Sequence, residues 1–205
     1  MKQHFNKLTL LAICLLLCSV TVLGSKKPKQ EMYQLTVYQY TTAQQEATLD
    51  SYLKDALLPA LHKNAYKNIG VFKSLANDTA KIKTMIVYMP VKNVADQLLL
   101  TEKLNKDTAY QSAGAAYLNA VYTAPPYSRM EIILLKAFHL APQMQLPMLT
   151  APKSERVYEL RSYESASEKI FKNKVQMFNE GDEIGLFKRL NFNAAFYAEV
   201  IAGSH

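Results

Sequence analysis

Cysteine is nearly absent from this chain. Of 205 residues only Cys14 and Cys18 are cysteines, and both lie in the first twenty-four. If that segment is removed, no thiol remains, which excludes disulfides, thiolate metal sites and a cysteine nucleophile. The remaining 180 or so residues must then be held by an ordinary hydrophobic core, and a chain of about that length can bury one. Glycine is sparse and scattered. Gly70, Gly114, Gly181, Gly185 and Gly203 form no run that would cradle a phosphate. Histidine is equally thin: His4 is in the leading segment and His205 is terminal, leaving His62 and His139. No HExxH pattern or paired Asp/Glu/His spacing is present, so no metal site is expected. Ser74, Ser112, Ser154 and Ser162 lack the Gly-x-Ser-x-Gly setting of a serine nucleophile. No residue carries a catalytic signal, and no cofactor is implied.

Acidic residues are outnumbered, but the excess is concentrated outside the part expected to fold. The formal charge of +7 falls to +5 without Lys2 and Lys7, and to +2 without Lys26, Lys27 and Lys29. The other lysines are dispersed, not clustered with aromatics, which argues against nucleic-acid binding. The abundant tyrosines, among them Tyr110, Tyr117, Tyr122 and Tyr127, read as packing residues.

The first thirty residues read as an address. Lys2 and Lys7 precede an uncharged apolar run from Leu8 to Leu23, and Val22-Leu23-Gly24 supplies a cleavage site after Gly24. The run is about 16 residues long, against roughly 20 for a spanning helix. The bulky Ile13 and Leu17 before the two cysteines do not suit lipoprotein processing. Residues 1–24 are therefore expected to be a signal peptide and 25–31 a tether. The product is a periplasmic or secreted protein with no stable membrane span.

What the chain does have is an echo of itself. Tyr33-Gln34-Leu35-Thr36-Val37-Tyr38 recurs as Tyr158-Glu159-Leu160-Arg161-Ser162-Tyr163, and Asn68 to Phe72 recurs as Asn193 to Tyr197, both at an offset of 125 residues. Two strand-like segments with equal spacing indicate one supersecondary unit used twice.

In the first copy, Tyr33 to Tyr40 alternates like a strand. Leu49, Leu53, Ala56, Leu57 and Leu61 then fall at helical spacing, predicting a helix over 43–66 with a kink or a break at Pro59. Ile69 to Leu75 and Ile82 to Met89 read as a hairpin closed at Pro90. Val94 to Val121 reads as a long helix and Arg129 to Phe138 as a fourth strand. The order β-α-β-β-α-β is the split unit of ferredoxin-like folds, with both helices on one sheet face. Residues 32–140 form this first repeat. Residues 141–154, with Pro142, Pro147 and Pro152, form a linker in which Met144, Leu146, Met148 and Leu149 are expected to pack. Residues 155–205 then begin a second repeat: a strand over 156–163, a helix lined by Ile170, Phe171, Val175 and Phe178 with a break at 180–182, and a strand over 195–202. The second repeat is expected to be truncated, since its third strand, second helix and fourth strand do not follow.

A sheet with helices on one face should alternate to polar on the other, yet this one does not. Ile82, Ile86 and Tyr88 oppose Met85, Val87 and Met89, and Ile133 and Leu135 oppose Met130, Ile132 and Leu134. Two apolar faces need two covers, and the second copy is the simplest source of the other one, by intramolecular pairing of the repeats or by homo-oligomerisation.

The run from Tyr158 to Tyr163, followed by Phe178-Asn179-Glu180-Gly181-Asp182-Glu183-Ile184, Phe187 to Phe192 and Phe196 to Ser204, resembles the NIPSNAP family, in the form of exported two-repeat bacterial members. The first copy matches only in pattern, because Gln34 and Thr36 stand where the second has Glu159 and Arg161. The resemblance implies a dimeric α/β-barrel, α+β, ferredoxin-like architecture and leaves the activity open. It also implies further sequence after the Gly-Ser turn.

Glu159, Arg161 and Tyr163 share one face of their strand, and Glu199 is expected to oppose Arg161. Such a group would bind a small polar ligand or perturb a carboxyl towards general-base work. The bland reading is a structural ion pair. The function expected is an exported small-molecule binding or interaction module. A cofactor-independent oxygenase, by analogy with other α/β-barrel proteins, is the alternative.

Overall fold

The computed structural model describes residues 28–203. The expected signal peptide and its cleavage site lie outside the described residues. Within them, no helix is long and apolar enough to cross a membrane.

The chain is α+β, built on one antiparallel five-stranded sheet in the order β2-β3-β1-β4-β5. β1 (Met32–Tyr40), β2 (Gly70–Lys73), β3 (Lys83–Val91) and β4 (Arg129–Ala137) come from the first part of the chain, and β5 is Ala198–Ala202. The first four have the order and connectivity of the split β-α-β unit and are compatible with a ferredoxin-like fold. β1 lies at the centre, paired with β3 from Met32↔Val91 to Tyr40↔Lys83 and with β4 from Met32↔Lys136 to Gln39↔Arg129.

Thr42 caps the first helix by accepting from the Gln45 amide, a hydroxyl N-cap in extended backbone. The helix runs as α1 (Ala43–Ser51), passes through a π-helical stretch (Tyr52–Leu57) and continues as α2 (Leu58–Lys63). A kink or a break was expected at Pro59. Instead the helix runs on through Pro59, and the irregularity is the π-helical stretch that ends two residues before it. The expected long second helix is three short ones, α3 (Val94–Lys106), α4 (Thr108–Ala113) and α5 (Ala115–Leu118). Asp107 divides the first two because its carboxylate caps the amides of Ala109 and Tyr110. β3 also runs through Pro90 to Val91. β2 stops opposite Tyr88, so Pro90 lies where β3 has no neighbour on that side.

Both sheet faces are apolar and both are covered. On one, Tyr38, Tyr40, Met85, Val87, Met89 and Val91 pack with Leu49, Leu53, Ala56 and Leu61 of the first helix and with Leu100 and Leu104 of α3. On the other, Tyr33, Leu35, Tyr88, Leu135 and Ala137 pack with Phe72, Ile86 and Ile133. Met144 and Phe196, later in the chain, pack over them, and Ala198 and Val200 of β5 continue the face beside β4. The helices do not reach β4 fully: Met130 and Ile132 remain exposed.

Residues 30–31, at the end of the expected tether, are tied down. The Gln30 side-chain amide donates to the Ala137 carbonyl, and the Glu31 amide to that of Pro142. In the linker only Met144 packs as expected, with Leu149 half-buried. Leu146 and Met148 are exposed.

The strand expected over 156–163 pairs with no strand among the described residues, and β5 is shorter than expected. β5 does not open a second sheet among the described residues. It joins the edge of β4, with Leu135↔Val200 and Ala137↔Ala198 and an irregularity at Leu134. Gly203 follows at φ +112°, where a Cβ would come within 2.9 Å of the Ile132 carbonyl oxygen; both constraints call for glycine.

Candidate functional site

The residues singled out from the sequence meet where residues 156–163 pass over two helices, α6 (Glu168–Asn179) and α7 (Glu183–Arg189). Ser167 starts α6 by accepting from the Ile170 amide. Helical spacing then puts Lys174 and Phe178 on one face, one turn apart. Phe178 is buried, and its ring lies within 5.4 Å (centroid to centroid) of Phe138 and Tyr163, 5.8 Å of Tyr197 and 6.2 Å of Phe187. Asp182, at φ +61°, turns the chain so that α7 folds back beside α6.

Two cations rest on this aromatic floor. The Lys174 ammonium is 4.9 Å from the Tyr163 ring centre and 4.8 Å from that of Phe178, and it donates to both Glu183 oxygens at 3.0 and 2.9 Å. The Arg161 guanidinium lies 5.6 Å from the Phe187 centroid and 5.0 Å from that of Phe192. It donates to Glu159 through Nε at 2.8 Å and Nη2 at 3.0 Å. Planar guanidinium suits both the bidentate pairing and the ring contact.

Glu159, Arg161 and Tyr163 are therefore brought together as expected. Glu199 is not: its nearest cation is Lys172 at 3.9 Å. β5 carries Glu199 opposite Lys136 of β4, and Arg161 is already occupied by Glu159. The group is also more exposed than a buried pair. Two thirds of the Glu159 side chain is open to solvent. The Arg161 hydrogen bond holds the Glu159 carboxyl below its ordinary range, and Glu159, then the Tyr163 hydroxyl, hold the guanidinium above its own. A general base requires the opposite shift in its carboxyl. What the arrangement offers is a fixed positive edge on an apolar floor, with the third guanidinium nitrogen, Nη1, outside the Glu159 pairing.

A second aromatic cluster lies on the sheet face covered by the later residues. The Tyr33, Tyr88 and Phe196 rings are mutually within 5.4 Å, and the Tyr158 ring meets Phe72 at 5.1 Å. The Tyr33 hydroxyl donates to Glu31, whose carboxylate also accepts the Met144 amide; the Tyr88 hydroxyl donates to the Met144 sulfur. Burial raises the titration of both phenols. Sequence reasoning passed over Lys174, Glu183 and this cluster. The i, i+4 placement of Lys174 and Phe178 was the available signal for the first; the second needs the tertiary fold. His62 is exposed at the end of α2, and His139 lies 3.4 Å from Glu180 across to the end of α6. Among the described residues, no three His, Cys, Asp or Glu side chains converge as a metal site would require.

No family model matches the chain, and no curated protein matches it in sequence.

Proposed function

We propose that the protein is an exported, NIPSNAP-like binding module, in which two related units place apolar sheet surfaces against each other around a site for a small, largely apolar molecule. The observation that carries this reading is the second sheet face. Tyr33, Leu35, Ile86, Tyr88, Ile133 and Leu135 present apolar groups where a solvated sheet would be polar; Phe196 packs over them, and Ala198 and Val200 continue the same face on β5.

The 125-residue offset supports the pairing of units. α1 begins at Ala43 and α6 at Glu168, 125 residues apart, each behind a hydroxyl N-cap, Thr42 and Ser167. The π-helical stretch at 52–57 answers the break between α6 and α7, which falls within 177–182 at the same offset. Residues 157–163 answer β1, and the segment ending in β5 answers β2.

In this reading Arg161, held by Glu159 and beside Tyr163, gives the bound molecule its polar contact, and Glu199 on β5 lies at the margin. A carboxylate on an aromatic or aliphatic body is the chemistry that a guanidinium on an aromatic floor recognises. The chain has no tryptophan, so Phe196→Trp installs a single reporter against Tyr33 and Tyr88. Titration with 2-naphthoate and with dodecanoate should change its emission saturably, and Arg161→Gln should weaken binding about tenfold, the scale of one charge-assisted hydrogen bond. Absence of a saturable change with both probes would defeat the reading. Export is tested separately, by sequencing the N-terminus of protein recovered outside the cytoplasm, which should begin at Ser25.

A further inference from the structure

Residues 142–145 cross one end of the sheet as a strap. Glu31 precedes β1 and Ala195 precedes β5, and both lie at the end where β4 finishes. The strap is tied to each. The Glu31 amide donates to the Pro142 carbonyl at 2.7 Å, the Met144 amide to the Glu31 carboxylate at 2.8 Å, and the Gln145 amide to the Ala195 carbonyl at 2.8 Å. These residues belong to no helix or strand, and Gln143, Gln145 and Leu146 are exposed. Lifting the strap breaks few hydrogen bonds and uncovers only what Met144 covers, which puts it at the low-stability end of the fold.

What Met144 covers is the cluster of Tyr33, Leu35, Tyr88 and Leu135. Among the described residues its thioether is also the acceptor on which the Tyr88 hydroxyl relies, at 3.4 Å. Tyr88 is buried, and sulfur is a weak acceptor for a buried phenol. An oxygen acceptor on an apolar body would satisfy that hydroxyl better and fill the same space. The fastening is slight as well. One oxygen of Glu31 accepts both the Met144 amide and, at 3.1 Å, the Tyr33 hydroxyl.

We infer that residues 142–145 are an autoinhibitory strap: Met144 occupies the place of the bound molecule on the Tyr33–Tyr88 cluster, the Glu31 carboxylate fastens it there, and the molecule binds as the strap lifts. An oxygen of the bound molecule then replaces the Met144 sulfur at the Tyr88 hydroxyl. The inference rests on the reading of this sheet face as a binding surface and is independent of the Arg161 contact.

The test uses the full chain carrying Phe196→Trp, with Glu31→Ala and Met144→Ala added singly. A strap that only braces the fold predicts weaker binding in both variants, because each loosens the site. A strap that competes with the ligand predicts the opposite sign. 2-Naphthoate and dodecanoate should bind each variant about tenfold more tightly, the scale of one hydrogen bond to a charged group lost from the closed state. Acrylamide quenching of the introduced tryptophan, without ligand, reports the cover itself and should rise about twofold in both. An affinity that either variant lowers or leaves unchanged overturns the inference, as does quenching that either leaves unchanged. If neither probe binds any of the three proteins, the binding reading falls, and quenching alone decides whether the strap moves.

Discussion

Tyr52 lies flat on Tyr117, with ring centroids 3.8 Å apart and planes only 7° from parallel. Tyr52 belongs to the π-helical stretch of the first helix and Tyr117 to α5, so the contact joins the two helical segments on that face of the sheet. The Tyr52 and Tyr110 hydroxyls are 2.8 Å apart, the Tyr117 hydroxyl donates to that of Tyr38 at 3.4 Å, and Tyr127 packs on both Tyr38 and Tyr117. Phenols are used here where phenylalanines would leave nothing unsatisfied. The network therefore adds direction to a contact that burial alone would leave free to slide.

Tyr52→Phe should cost about 1 kcal/mol, because it leaves the buried Tyr110 hydroxyl without its partner. Tyr117→Ala should cost about 3 kcal/mol, close to the usual figure for deleting a packed aromatic ring. Urea unfolding followed by circular dichroism measures both. Equal losses for the two variants would mean that the hydroxyl network and the ring contacts are not separable contributions.

The same tyrosines set the alkaline limit of stability. Burial is the leading cause raising the titration of Tyr38, Tyr52, Tyr110 and Tyr117 in the folded protein. Below about pH 10 the phenols are protonated in both states and their contribution is complete. Above it the unfolded chain releases protons that the folded chain retains, so stability falls as pH rises, by about 1.4 kcal/mol per unit for each delayed phenol. Urea midpoints between pH 9 and 11.5 should drop steeply, and Tyr52→Phe should flatten the slope.

Asn77 is a buried polar residue at the turn before β3 and should be intolerant of change. Its side-chain amide donates to the Tyr40 hydroxyl at 3.1 Å and to the Thr84 carbonyl at 2.9 Å, and its oxygen accepts from the Thr84 amide at 2.8 Å. Asn77→Ala strips three partners at once and should cost about 2 to 3 kcal/mol. Asn77→Asp keeps the acceptor and loses the donors, so it should not rescue. Thermal melting of the two variants gives the comparison.

Much of the first unit was legible because its signals are local. Alternation in residues 33–40 pointed to β1, the apolar run over 82–89 to β3, and the spacing of Leu49, Leu53, Ala56 and Leu61 to the first helix. The two apolar faces followed from the failure of β3 and β4 to alternate with polar residues. Other features depend on what the chain meets in space. Tyr52 and Ala60 share the buried face of the first helix with Leu49, Leu53 and Ala56, although neither was singled out from the sequence. Residues 156–163 have strand composition, but a ladder is a property of two segments and no described partner lies beside them. Asn77 looks like any turn residue until the Tyr40 hydroxyl is brought to it. At the site, Glu159, Arg161 and Tyr163 could be grouped by strand period alone. Pairing Glu199 with Arg161 required knowing where β5 docks, and β5 docks on β4.

The central claim is that residues after 141 complete the second face of the first unit's sheet, and the contact between Tyr88 and Phe196 carries it most directly. The two rings are 5.1 Å apart and nearly parallel. A double-mutant cycle with Tyr88→Ala, Phe196→Ala and the pair, read by urea denaturation, isolates their coupling. A coupling of about 0.5 to 1.5 kcal/mol is expected, the range for an aromatic pair beyond simple burial. Strict additivity of the two losses would contradict a shared core between the two parts of the chain.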